Sequence, residues 1–177
     1  MLGILAAVAE VLRRRAVPHA LIGAAAMAAR GVIRSTDDLD LLVTDTAVLR
    51  PGFWDELAGQ GFVVEARVGD DADPLAGVVR LTRPPARALD VVVGRKAWQA
   101  ELIARAEPRR LGAVEVPLVS SADLILLKLY AGSGQDLRDV QSLLDASERA
   151  ALTAAVEAEL GRLPAEARDA WLALLTR

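Results

Sequence analysis

The chain has no cysteine, one histidine (His19) and only two lysines (Lys96 and Lys128) among 177 residues. Without cysteine there are no disulfides, thiolate metal sites, iron–sulfur clusters or thiol nucleophiles. A lone histidine excludes a multi-histidine zinc centre and argues against a serine–histidine triad. Aromatics are scarce at 3%, and no row of rings offers a stacking platform for single-stranded nucleic acid. No apolar run approaches the ~20 residues needed to span a bilayer. The apolar opening, Met1–Val11, precedes its arginines (Arg13, Arg14, Arg15) and contains Glu10, the reverse of a signal peptide's order. The expectation is a cytoplasmic protein with no membrane partner. A net charge of −3 also argues against a generic nucleic-acid coat, and no DNA partner is expected.

What is present describes a folded globule. Apolar residues reach 53% and charged residues 25%, a composition outside the disordered class. Arginine supplies 19 of the 21 basic residues, which makes the position of each lysine informative. Leu2, Leu5, Val8, Ala9 and Leu12 follow helical spacing up to Pro18. A short strand at 19–22 runs into a small-residue helix at 24–29. Strands are predicted over 38–43, 61–66, 77–81 and 88–93, with helices over 49–59 and 97–106 and a hairpin or extended segment around Gly112. From Ser120 the pattern is helical throughout. Ser120 and Asp123 have capping-box spacing, and the 132–134 break precedes a helix at 136–144. Two further helices are expected around 152–160 and 166–175. The fold class is therefore α/β (α+β): a mixed sheet flanked by helices over residues 1–118, then a helical part over 119–177 packed on it.

Two of the apolar runs carry acids. In Asp38-Leu39-Asp40-Leu41-Leu42-Val43, period two puts Asp38 and Asp40 on one face and Asp37 on the other. In Leu89-Asp90-Val91-Val92-Val93 one acid interrupts a β-branched run. Desolvating a carboxylate without a partner costs several kcal/mol. If the two strands are neighbours, three carboxylates meet on one patch and need cations to share it. All-oxygen ligation selects Mg²⁺ or Mn²⁺, with substrate phosphates completing the shell. The alternative is structural: each acid caps a turn or pairs with an arginine such as Arg34 or Arg87. Upstream, Gly23 and Ala24 follow a strand and open a helix, a turn that lets a phosphate approach the backbone.

The stretch LIGAAAMAARGVIRSTDDLDLLV resembles the signature of polymerase-β-type nucleotidyltransferases. That signature is a hydrophobic-Gly-(Gly/Ser) turn followed by Asp-hydrophobic-(Asp/Glu)-hydrophobic. Arg30-Gly31 and Arg34-Ser35-Thr36 resemble the AbiEii-type branch and its small stand-alone relatives, as does SADLILLKLYAGSGQDLRDVQSLL downstream. The resemblance implies a nucleotidyltransferase that moves an NMP from an NTP to an acceptor with Mg²⁺ (or Mn²⁺). Asp38 and Asp40 would be the metal pair and Asp90 the third acid, sharing a metal and orienting the attacking hydroxyl. Gly23 and Ala24 would hold phosphates through backbone N–H groups, with Arg34 as a clamp. Lys128 would contact the nucleotide, while Asp136 and Asp139 hold the site or assist proton transfer. The implied acceptor is RNA, tRNA or a protein, with the chain as the toxin of a toxin–antitoxin or phage-defence pair beside a cognate antitoxin. Two departures stand out: Ala24 replaces the second Gly/Ser, and Gln135 replaces the basic residue before Asp136. They motivate a second reading, a catalytically inactive module of this fold that binds nucleotide, RNA or a partner protein. A third is adenylylation of a small molecule, for which the sequence carries no pocket signature.

Overall fold

Strand pairing decides where the acids go. A computed structural model describes residues 2–32, 38–84 and 88–176. Seven strands form one mixed sheet: β1 (Ala20–Ile22), β2 (Leu39–Val43), β3 (Val63–Val68), β4 (Leu75–Thr82), β5 (Leu89–Gly94), β6 (Glu107–Leu111) and β7 (Val114–Leu118). Their order is β3-β4-β5-β2-β1-β7-β6. β2 runs parallel to β5 and β1 parallel to β7, while the other neighbours are antiparallel.

The helices are α1 (Leu2–Arg14), α2 (Gly23–Ala29), α3 (Asp55–Gly59), α4 (Ala97–Ala104), α5 (Ser121–Ala131), α6 (Gly134–Asp145), α7 (Arg149–Glu159) and α8 (Ala165–Leu175). α1 packs on β7 and α4 on β2. The helix expected over 49–59 is cut to 55–59, behind a 3-10 turn at Thr46–Leu49. Pro51 explains this, since a proline drives its predecessor out of the helical region, and Arg50 is extended at φ −74°, ψ 142°. No described helix is long and apolar enough to cross a membrane.

The chain divides into two units, residues 1–25 with 35–119 and residues 26–34 with 120–177. In the first, burial alternates along β4 from Gly77 onward and along β5 up to Val93. Val79, Leu81, Leu89, Val91 and Val93 are fully buried, whereas Val78, Arg80, Asp90 and Val92 on the opposite face are half-open. Burial of the first face drives the pairing. The half-open face is where a charge can sit without full desolvation. In the second unit, Leu124, Ile125, Leu129, Val140, Leu143, Val156 and Trp171 form the core. Gly132 ends α5 in the left-handed region (φ 69°), and Ser133 caps α6 directly afterwards.

Candidate active site

The parallel register of β2 and β5 sets Asp40 opposite Asp90. Arg80 on β4 is in turn the partner of Asp90, and Glu65 on β3 the partner of Arg80. Cross-strand partners share a face. One row therefore crosses four strands on the half-open face: Glu65, Arg80, Asp90, Asp40. Asp38, just before β2, joins it through Arg80. The guanidinium donates from Nη1 to Asp90 Oδ2 at 3.0 Å and from Nη2 to Asp38 Oδ2 at 3.1 Å.

The structural alternative named Arg34 or Arg87 as a partner of these acids; both lie outside the described residues, as does Asp37. Among the described residues, Arg80 pairs with Asp38 and Asp90. The signal for it was an arginine inside the strand GVVRL, which an antiparallel hairpin with the Asp90 strand would bring alongside. Among the described residues no group of three or more potential metal ligands is assembled. The Arg80 guanidinium bridges Asp38 and Asp90.

Asp90 is nonetheless an uncomfortable carboxylate. Its side chain is 18% exposed, and Oδ1 is buried with no hydrogen-bond partner. Burial pushes its pKa up, Arg80 pulls it down, and Asp38 adds repulsion. A buried carboxylate oxygen with no hydrogen-bond partner among the described residues, beside a second aspartate, has the chemistry that a hard divalent cation satisfies. The donor set fits Mg²⁺ or Mn²⁺.

Gly23 closes the row on the other side. It turns β1 into α2 with no intervening residue, at φ 68°. A Cβ on it would collide with the Asp40 carboxylate. Only glycine tolerates both demands. Gly23→Ala is expected to cost at least about 1 kcal/mol from left-handed strain alone and to displace Asp40. Urea unfolding checks this, and an unchanged midpoint would contradict the packing. Ala24 follows as a buried residue of α2, its methyl serving the interior. A cleft of about 690 Å³ opens beside Asp90, lined by Glu65, Arg67, Asp73, Leu75 and Arg80 among others.

The second unit gathers the other three expected residues. Lys128 Nζ on α5 donates to Asp136 Oδ1 at 2.7 Å and lies 2.8 Å from Asp139 Oδ2, both on α6. Asp139 is 3% exposed. The solvated face expected for an isolated Asp-x-x-Asp pair is not what forms, because the α5–α6 hairpin folds the pair inward onto the ammonium. The ammonium is only partly exposed, so a snorkelling lysine does not describe it either. Asp136 Oδ2 accepts from the Ser133 hydroxyl at 2.6 Å and the Ser133 N–H at 3.2 Å, a capping box. Gln135, one of the two departures from the family pattern, donates from Nε2 to Asp139 Oδ1 at 2.9 Å.

Burial opposes the Lys128 charge, but the bonds to Asp136 and Asp139 outweigh it and raise its pKa. Burial likewise opposes the Asp136 carboxylate, and Lys128 with Ser133 more than compensates, so its pKa is lowered. The Asp136 contribution to stability is thus present above the ordinary carboxylate pKa of about 4 and lost as pH falls through the depressed folded value. The Lys128 contribution is complete below about 10.4 and lost as pH rises through the raised value. Protection factors against amide exchange in α5 and α6, corrected for the intrinsic pH dependence of exchange, should fall at the acid end in the native chain, with this limb shrinking in Asp136→Asn. An undiminished limb in the variant would remove Asp136 from the account.

His19 is half-buried, its pKa lowered by burial, with Nδ1 3.0 Å from the Val17 carbonyl oxygen. It stands apart from the acidic row. Trp54, Trp98 and Trp171 are all buried, matching their expected packing roles.

No family model matches the chain, and no curated protein does. Solved structures do. ANT(2'')-Ia in complex with adenylyl-2''-tobramycin superposes with a TM-score of 0.58 at 16% identity, over 90% of this chain and 97% of that one. The lincomycin-bound lincosamide antibiotic adenylyltransferase LnuA gives 0.52 at 13% identity, over 81% and 96%. The solution structure of ANT(2'')-Ia, an antibiotic-resistance factor, gives 0.51 at 18% identity, over 86% and 87%. At these identities it is the architecture that is shared. The seven-stranded mixed sheet thus shares the fold of these nucleotidyltransferase structures.

Proposed function

We propose that the chain transfers a nucleoside monophosphate from an NTP to a hydroxyl of a small polar acceptor. The observation that carries this reading is the in-register Asp40–Asp90 pair, with the buried Asp90 Oδ1 left unpartnered. Asp38, Asp40 and Asp90 would hold Mg²⁺. The bound ion supplies positive charge to the polyphosphate, where the transition state spreads negative charge. Gly23 and Ala24 present backbone N–H groups at the head of α2, and Asp90 orients the acceptor hydroxyl through Oδ1. Arg34 keeps the phosphate-clamp role that the resemblance implies. For Lys128 the resemblance implies a nucleotide contact, and for Asp136 and Asp139 the task of holding it. The contacts of Asp136 and Asp139 with the ammonium support that holding role.

The acceptor class follows from the cleft. A cavity of about 690 Å³ beside Asp90 has the size of a small-molecule site and a mixed lining of acids, arginines and apolar side chains. The neighbours with adenylylated tobramycin and bound lincomycin act in the same sense. The RNA acceptor and the toxin role rest on the Arg30–Asp40 resemblance alone. The test is incubation with α-labelled NTPs and Mg²⁺ in three arms: a panel of aminoglycosides, lincosamides and polar metabolites, total RNA, and protein extract. Label on a small molecule, lost in Asp40→Asn, supports the reading. Label on RNA or protein moves the acceptor to that class, and nucleotide binding without transfer in any arm makes the chain an inactive module.

A further inference from the structure

We propose that Arg80 is a positioning residue that keeps the metal's place between Asp38 and Asp90, and that a divalent cation enters by displacing its guanidinium toward Glu65. This rests on the metal reading above and extends it to a residue outside the family signature. Three observations carry it. The guanidinium bridges the two carboxylates at 3.0 and 3.1 Å, where a cation would otherwise be required. It is an incomplete substitute, because it satisfies Oδ2 of Asp90 and leaves the buried Oδ1 unpartnered. It also has somewhere to go. The Arg80 side chain is 43% exposed, it borders the cleft, and Glu65 is its register partner on the side away from Asp90.

The energetics follow from charge alone. A guanidinium and a divalent ion on the same two carboxylates repel each other, so only one occupies them. Without metal, Arg80 keeps Asp38 and Asp90 from repelling one another and preserves the row. With metal, the displaced guanidinium is re-paired by Glu65 inside the cleft. Arg80 therefore weakens metal binding, and Glu65 strengthens it by accepting the displaced charge.

The two residues thus predict effects of opposite sign, which a merely structural role would not produce. Binding of Mn²⁺ alone, read by electron paramagnetic resonance of the free ion, should be about tenfold tighter in Arg80→Gln and about threefold weaker in Glu65→Gln. Arg80→Lys, a compact point charge without the bidentate fork, should fall between the native chain and Arg80→Gln. Equal or weaker binding in Arg80→Gln overturns the proposal. Should that variant fail to fold, Glu65→Gln, a change at an exposed edge-strand residue, decides alone: unchanged or tighter binding there overturns it. If the native chain binds Mn²⁺ and Arg80→Gln gains nothing, only this inference falls. If neither binds Mn²⁺, the metal reading falls and takes the inference with it.

Discussion

Asp90→Asn should lower nucleotide transfer at least 100-fold, within the range for losing a positioned acid–base or ligand carboxylate, while the chain stays folded. The amide is isosteric, and it still offers an oxygen to Arg80. What it loses is the negative charge at Oδ1, the buried atom with no hydrogen-bond partner among the described residues. A fold gains nothing from an unpartnered buried carboxylate oxygen, which costs desolvation free energy without return. Its presence in the row is understood if a ligand completes it. The same substitution should also relieve burial and the repulsion from Asp38, so a slightly raised melting temperature is the expected companion. Transfer within a few-fold of the native level would detach Asp90 from the chemistry, whatever became of the melting temperature.

Lys128→Met is the second large effect. Removing the ammonium takes away the cation that Asp136 and Asp139 share, in a setting where Asp139 is 3% exposed. Breaking a buried ion pair on one side typically costs 3–5 kcal/mol. The partial exposure of Lys128 and Asp136, 15% for each side chain, favours the lower end, about 3 kcal/mol. Urea unfolding measures the loss. Adding Asp139→Asn to Lys128→Met should restore about half of it, because the remaining burden is one carboxylate already held by Ser133. A loss below about 1 kcal/mol in the single variant would mean that the network is solvated and that its geometry stabilises little.

Much of this was legible in the residues. Asp40 and Asp90 stood out because each interrupts an apolar strand, and the physics that forbids lone carboxylates there is independent of any fold. The capping residue Ser120 was readable as local chemistry, whereas the Ser133 cap was hidden in what read only as a chain break. What escaped was non-local. Arg80 looked like one more arginine among many, and only the antiparallel register of β4 and β5 turns it into the partner of Asp90. The inward turn of Asp136 and Asp139 depends on the α5–α6 hairpin, whereas the spacing alone speaks only of a shared helix face. Pro51 was visible, but its veto on a helix through Arg50 acts on the preceding residue's backbone and leaves no mark on the apolar spacing. The alternation over 77–82 and 89–93 also differs from the two-sided burial that a run such as Val91-Val92-Val93 invites.

The lateral order of the strands has an evolutionary corollary. Asp40 and Asp90 belong to strands paired on both flanks, so their separation is fixed by the interstrand spacing of about 4.8 Å and is hard to retune by single substitutions. β3, by contrast, lies at the margin of the sheet with nearly every side chain in water. If the proposed transfer holds, selection can therefore rewrite the β3 side chains bordering the cleft while the carboxylate ruler beside them stays as it is, and a mutational library aimed at new specificities is best confined to that outer strand.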